Sequence, residues 1–226
     1  MKHTLLITTA LITTALMLIV GCSKNTVTDI DDNTYKTVQI GDQIWMAENL
    51  KVTHYRNGDP IPTGHSDSVW ISLSTGAYAV YDGNESNADT YGYLYNWYAV
   101  NDSRNLAPEG WHVPTGDEWR TLVDYLGGKD VAGGKLKEEG TTHWDSPNTG
   151  ATNETGFTAL PGGMRYGEFY SPNNEGTGMN EYGCFWSSTE RNEYNAWRWR
   201  VTHSSKMDVY PYATKVWGFS VRCIRD

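Results

Sequence analysis

Cysteine is scarce in this chain. Cys22, Cys184 and Cys223 are its only three, too far apart in sequence for the paired-thiol spacing of a redox or zinc motif. Positive charge is short as well: 18 Lys and Arg face 27 Asp and Glu, a net of −9. No basic run is interleaved with aromatics, which argues against nucleic acid as a partner. His54, His65, His112, His143 and His203 never fall at i, i+4, the spacing that sets two ligands on one helix face. Each therefore reads as a surface or hydrogen-bonded histidine, and no metal is expected. Phosphate-binding loop, dinucleotide fingerprint and Gly-x-Ser-x-Gly elbow are all missing, so no cofactor is expected either. Long apolar runs are absent too. The uncharged stretch from Leu5 to Val20 has about 16 residues, where a bilayer span needs roughly 20. Phe is down to four, against 10 Trp and 15 Tyr, whose polar handles suit half-buried positions and binding surfaces.

What is present is clearest between Trp111 and Gly128. Pro114 biases Val113 towards extended backbone, and Thr115 is an N-cap whose hydroxyl can accept the Glu118 amide while Glu118 reaches back, a capping box. Trp119, Leu122, Val123 and Leu126 fall at i, i+3, i+4 and i+7, one apolar stripe, and Gly127-Gly128 supplies the left-handed residue that ends a helix. The pattern predicts a short helix lying on a sheet made by the chain on either side of it.

At the N-terminus, Lys2 and His3 precede the Leu5 to Val20 run, the pattern of a secretion leader. It ends in Ile19-Val20-Gly21-Cys22, which resembles the bacterial lipobox, where a small residue precedes a cysteine that is diacylated and becomes the mature N-terminus. The resemblance implies a lipoprotein: residues 1–21 are removed, Cys22 carries palmitate-like acyl chains, and two or three chains hold a protein to a membrane far better than one. The implied location is the bacterial cell envelope, lipid-anchored, with the outer membrane preferred. Cys184 and Cys223 are then an even pair in an oxidising compartment. A disulfide between them would close a loop of about 40 residues and stabilise by roughly 3–4 kcal/mol; the alternative is two buried thiols. Residues 22–34 are polar, carry Asp29, Asp31 and Asp32, and read as a tether, with order expected from Tyr35 and a single domain over 35–226.

Along that domain, Tyr35 to Ile40 alternates, Gly41-Asp42 turns the chain and Gln43 to Leu50 runs back, a hairpin. Residues Thr53 to Asn87 are rich in Gly, Pro, Asp and Ser, a long excursion. Leu94, Trp97 and Tyr98 have helical spacing and predict a first helix within Tyr91 to Val100. After the central helix, Lys129 to Phe157 reads as loop, Ala159 to Tyr170 as a strand with a bulge, and Ser171 to Tyr182 as a Gly/Asn loop. Three strands follow: Cys184 to Thr189, Ala196 to Val201 and Gly218 to Ile224, the last with Phe219, Val221 and Cys223 on one face. The fold class is α+β, one domain with two helices, long loops and a C-terminal antiparallel sheet.

Five motifs in order carry a family resemblance. Thr37-Val-Gln-Ile-Gly-Asp-Gln-Ile-Trp-Met-Ala-Glu-Asn-Leu50, Gly92-Tyr-Leu-Tyr-Asn-Trp97, Pro108-Glu-Gly-Trp-His-Val-Pro-Thr-Gly-Asp-Glu-Trp119, Phe185-Trp-Ser-Ser-Thr189 and Gly218-Phe-Ser-Val-Arg-Cys223 together resemble the Fibrobacter succinogenes major paralogous domain, over about Tyr35 to Asp226. That family occurs in secreted proteins and lipoproteins and brings no activity with it. Val113 to Trp119 and Gly218 to Arg222 are also similar to segments of formylglycine-generating-enzyme-like domains. This implies a C-type lectin-like fold, with N- and C-terminal strands paired and two helices against the sheet.

The chemistry of those relatives does not transfer. The oxidases need two cysteines a few residues apart, whereas Cys184 and Cys223 are 39 positions apart. Calcium-dependent lectins need an acidic partner before the loop proline, and Ser171-Pro-Asn-Asn-Glu175 has none; Trp197-Arg-Trp-Arg200 carries bases where Asn-Asp would stand. Asp117-Glu118 is explained by helix capping and dipole, and Glu138-Glu139, after Lys135 and Lys137, by a solvated face. A metal-free surface remains, on Tyr166, Tyr170, Asn173, Asn174, Glu175, Tyr194 and Trp197, with Trp199 assigned to the core. The expectation is a non-enzymatic, membrane-anchored binding or adhesion module whose ligand is a polysaccharide or an envelope protein. The alternatives are an enzyme acting on polysaccharide and a structural lipoprotein that binds another protein.

Overall fold

In the computed structural model, which describes residues 25–166, 178–204 and 212–226, the expected hairpin is the first sheet's spine. Strand β2 (Thr34–Ile40) pairs antiparallel with β3 (Gln43–Met46), Val38 opposite Trp45, and Gly41 takes φ 60° in the turn. The sheet runs β1-β2-β3-β10-β6, with β1 (Thr26–Thr28), β6 (Trp111–His112) and β10 (Ile224–Arg225). Strands from the two ends of the domain are thus neighbours: Ile224 lies opposite Trp45 on one side and His112 on the other. A second sheet has the order β7-β8-β9, from β7 (Tyr182–Glu190), β8 (Asn195–Thr202) and β9 (Tyr212–Thr214). A small third one joins β4 (Tyr78–Ala79) to β5 (Leu94–Tyr95). The described chain is α+β, its sheets antiparallel and its helices few and short, the first being the single turn α1 (Asp67–Trp70).

Residues 218–223 stitch the two large sheets together. On one side Leu50 and Met46 donate their amides to the carbonyls of Val221 and Cys223, both at 2.9 Å; on the other, Trp186 donates to Ser220 and Ser220 to Cys184, both at 3.1 Å. Phe219, Val221 and Cys223 enter one core with Tyr35, Met46, Trp97 and Trp186. Ile224 enters a second core, where Trp45, Trp119, Leu122, Phe157 and Phe185 meet. Between the cores lies Arg222, wholly buried, which donates to Asn49 Oδ1 (2.7 Å) and to the carbonyls of Met46, Phe157 and Thr158. A buried cation is tolerable there because four oxygens replace its water.

Helix α4 (Gly116–Tyr125) follows its sequence signals. The Glu118 amide donates to Thr115 Oγ1 at 3.2 Å and the Thr115 amide to Glu118 Oε2 at 2.8 Å, both halves of the capping box. At the other end Gly128 N–H reaches Val123 O and Gly127 N–H reaches Asp124 O, the six-to-one and five-to-two bonds of a Schellman cap, with Gly127 at φ 97°. Trp119 is packed between Trp45 (centroids 4.8 Å apart) and Phe185 (5.7 Å), and its indole N–H donates to Trp186 O. The helix therefore bridges both sheets.

Several expectations are corrected. The stretch read as a tether is built into the fold from Thr26: β1 pairs with β2, and Asp29 is buried, accepting from the Asp31 and Asn33 amides and from Tyr35 Oη at 2.6 Å. Its acids mimic a solvated linker in composition, but Asp29 and Asp31 are turn acceptors; Asp31 takes the Thr53 amide and lies 2.6 Å from His54 Nδ1. The first helix is not continuous over Tyr91 to Val100. It splits into α2 (Ser86–Tyr91), β5 and the single turn α3 (Trp97–Val100), because Gly92 turns the chain at φ 71°, where a Cβ would collide with Leu50 O and Asn49, and Asn96 caps the second piece by accepting the Ala99 amide. The loop expected after α4 opens with α5 (Lys129–Leu136), where Gly134 rests against the Gly150 carbonyl too closely for any Cβ. Glu139 is exposed and Glu138 partly so, but Lys137 just before them is fully buried, with Nζ donating to Thr149 O and Thr202 O; burial lowers its pKa to about 8. Residues 159–166 make only isolated bridges rather than a strand.

The disulfide is also corrected. Cys184 and Cys223 are free thiols, both fully buried. Ser220 donates to the Cys184 carbonyl, and Cys223 lies three residues farther along an extended segment, about 10 Å on at roughly 3.3 Å per residue. Because Ser220 runs parallel to Phe185, that advance carries Cys223 away from Cys184, beyond the Cα separation a disulfide accepts. Burial raises the pKa of both thiols, which keeps them unreactive.

Candidate ligand-binding surface

Strand β8 carries the candidate surface on both its faces. Its alternation sends Trp197, Trp199 and Val201 one way and Ala196, Arg198 and Arg200 the other. On the first face Val201 is buried and Trp199 stacks on Trp119 at 6.1 Å, so the assignment of Trp199 to packing holds. Trp197 lies farther along, half-buried, opposite Tyr212 of β9, and the Arg191 guanidinium sits 3.2 Å over the Tyr212 ring. Tyr194 stands in the β7 to β8 turn, 67% exposed, its carbonyl taken by the Lys215 amide. This edge is held from beneath by Lys215, which is buried, pairs with Glu190 of β7 and lies 4.7 Å over Trp97.

On the second face Tyr166 packs edge-on against Trp217, with centroids 4.3 Å apart, and Trp217 against Phe219 at 6.1 Å. Arg198 lies 5.5 Å from the Phe219 ring and Arg200 4.9 Å from the Tyr182 ring. Burial raises the Tyr166 pKa, Cys184 adds to the rise, and the two arginines oppose it, which puts all of them in one neighbourhood. The expected site residues are therefore divided. Tyr166 belongs to the arginine face and Trp197 to the opposite one, while Tyr170, Asn173, Asn174 and Glu175 lie outside the described residues. Trp217, Tyr212 and Arg191 went unnoticed in the sequence because each sits alone in a loop or a three-residue strand. Arg198 and Arg200 carried a signal: in a strand, Trp-Arg-Trp-Arg puts both bases on one side.

Titratable clusters elsewhere serve the fold. His112 lies 2.7 Å from Asp226 Oδ1 and 2.9 Å from Glu118 Oε1, tying the C-terminus and β6 to the cap of α4. His143 meets Glu138 at 2.8 Å, and Asp102 holds Arg104, which stacks 4.0 Å over Tyr55. Among the described residues no group of three or more His, Cys, Asp or Glu is placed to hold a metal ion, and no helix is long and apolar enough to cross a membrane.

These features define an α+β domain with an aromatic and arginine-bearing sheet edge. The chain belongs to the family of the Fibrobacter succinogenes major domain, whose model matches residues 38–225. No curated protein and no solved structure matches it.

Proposed function

We propose that this protein is a non-enzymatic binding module, anchored to the bacterial envelope through Cys22, that takes a polysaccharide ligand on the β8 and β9 edge, within a C-type lectin-like fold. The observation that carries the reading is the row formed by Tyr194, Trp197 and Tyr212, exposed or half-buried aromatics with Arg191 stacked at its end. Rings left at a surface, beyond what packing needs, offer flat apolar faces to sugar rings and hydroxyl or indole donors to their oxygens. The edge is also rigid: Lys215 with Glu190, and the Lys215 amide on the Tyr194 carbonyl, hold the turn before any ligand arrives, so little ordering entropy is lost on binding.

The test is retention of the full chain, purified in detergent, on a panel of insoluble and immobilised polysaccharides, each with calcium and with chelator. Retention that resists chelator and falls about tenfold or more in Trp197→Ala, with circular dichroism unchanged, is the expected result. If a folded sample is retained by no polysaccharide, the reading fails and an envelope protein becomes the partner to seek.

A further inference from the structure

Arg198 stands out among the buried cations. Arg222 has four oxygen acceptors, Lys137 two carbonyls and Lys215 a carboxylate, but Arg198, only 6% exposed, has Nε and Nη1 buried with no hydrogen-bond partner. Among the described residues no carboxylate lies within ion-pair distance of it. Burying guanidinium donors without acceptors costs on the order of 1–3 kcal/mol or more, because the lost water is not replaced. The neighbourhood makes this worse: Arg200 follows on the same face, and the facing residues of β7 across the ladder are Trp186 and Cys184, neither of them an anion. Burial lowers the pKa of Arg198 and Arg200 lowers it further, with Cys184 opposing. Arg198 thus holds two buried guanidinium donors without an acceptor in a protein whose net charge is −9.

From this geometry we infer that the Arg198 face is a second sugar site, across β8 from the Trp197 row, for a carboxylate on an acidic sugar, a uronate residue of the polysaccharide. Guanidinium N–H groups match the planar carboxylate, and an anion arriving there restores the acceptors that folding removed. The Tyr166 and Trp217 pair, half-buried beside the arginines, supplies ring surface for the sugar that bears it. Because the whole protein is acidic, it repels polyanions at long range, so retention on a polyuronate requires a local cationic site rather than general adsorption. The inference rests on the polysaccharide reading and names the chemical class of its ligand.

The experiment is titration calorimetry of the full chain in detergent with a galacturonate oligosaccharide, its methyl ester and a neutral galactan oligosaccharide. Arg198→Met follows; it keeps side-chain bulk while removing a buried charge, a change that such sites commonly tolerate. The expected result is binding of the uronate at least tenfold tighter than its ester, lost in Arg198→Met while that variant's Tm stays equal to or above the parent's. Equal affinity for acid and ester overturns the inference in the parent protein alone, whatever the variant does. Undiminished uronate binding by Arg198→Met overturns it as well. If neutral polysaccharide is retained without preference for the uronate, this inference fails and the polysaccharide reading stands; if neither is retained, both fail.

Discussion

At His112 one imidazole meets two carboxylates that sequence places 6 and 114 positions away. Burial lowers the His112 pKa, but the hydrogen bonds to Asp226 and Glu118 outweigh it and the net direction is upward. Glu118 is the converse: burial raises it, and the Thr115 amide and His112 pull it below the ordinary carboxylate value. A raised histidine contributes stability that is complete below its unfolded value of about 6.5 and lost as pH rises through its folded pKa. A lowered carboxylate contributes above its unfolded value of about 4.5, and that is lost as pH falls through its folded pKa. The contact is therefore strongest between about pH 4.5 and 6.5. Thermal unfolding of the parent and His112→Gln across pH 4 to 9 should show the largest Tm difference in that window and a shrinking one above it. A difference that grows towards pH 9 would reverse the assignment.

One element, α4, links the two sheets, so its ends bear on global stability. Replacing Thr115 by Ala removes the acceptor for the Glu118 amide and is expected to cost about 1 kcal/mol. Gly127→Ala puts a Cβ at φ 97°, against Val131 Cγ2 at 3.1 Å, and should cost about 1–2 kcal/mol from the left-handed backbone alone. Trp119→Ala, which empties a fully buried site shared by Trp45, Phe157 and Phe185, should cost about 3–5 kcal/mol. Urea unfolding with unchanged m-values would rank the three; a Trp119 cost below that of Thr115 would mean the helix does not bridge the sheets.

For the whole molecule, the proposed anchor and the proposed binding edge are tested separately. The first described strand, β1, begins only four residues after Cys22, so a lipidated Cys22 would hold the domain close to the membrane rather than on a long tether. Cys22→Ser is expected to shift the protein from the membrane to the soluble fraction of cells, and to leave thermal unfolding within about 1 °C. Intact mass after detergent extraction checks the acyl chains directly. A membrane-bound Cys22→Ser protein would remove the lipoprotein proposal while leaving the polysaccharide test untouched.

Features set by neighbours in sequence were legible in it. The capping box, the apolar stripe of α4, the Gly127 stop, the β2 to β3 hairpin and the alternation of Phe219, Val221 and Cys223 each arise from periods and turn residues within a few positions, where one conformation satisfies every local preference. The family likeness was legible for the same reason, being carried by those motifs. Tertiary structure alone decided the rest. It drew Asp29 into a buried turn, divided the first helix at Gly92, kept Cys184 and Cys223 apart, buried Lys137 and set Tyr166 against Trp217. The Asp29 turn is closed by nearby Asp31, Asn33 and Tyr35, but in the other cases the deciding partner is distant in sequence, an acceptor, a carbonyl or a ring that composition cannot place. Arg198 shows both sides: alternation put it on one face with Arg200, and only the packed sheet showed that no acceptor meets its Nε and Nη1.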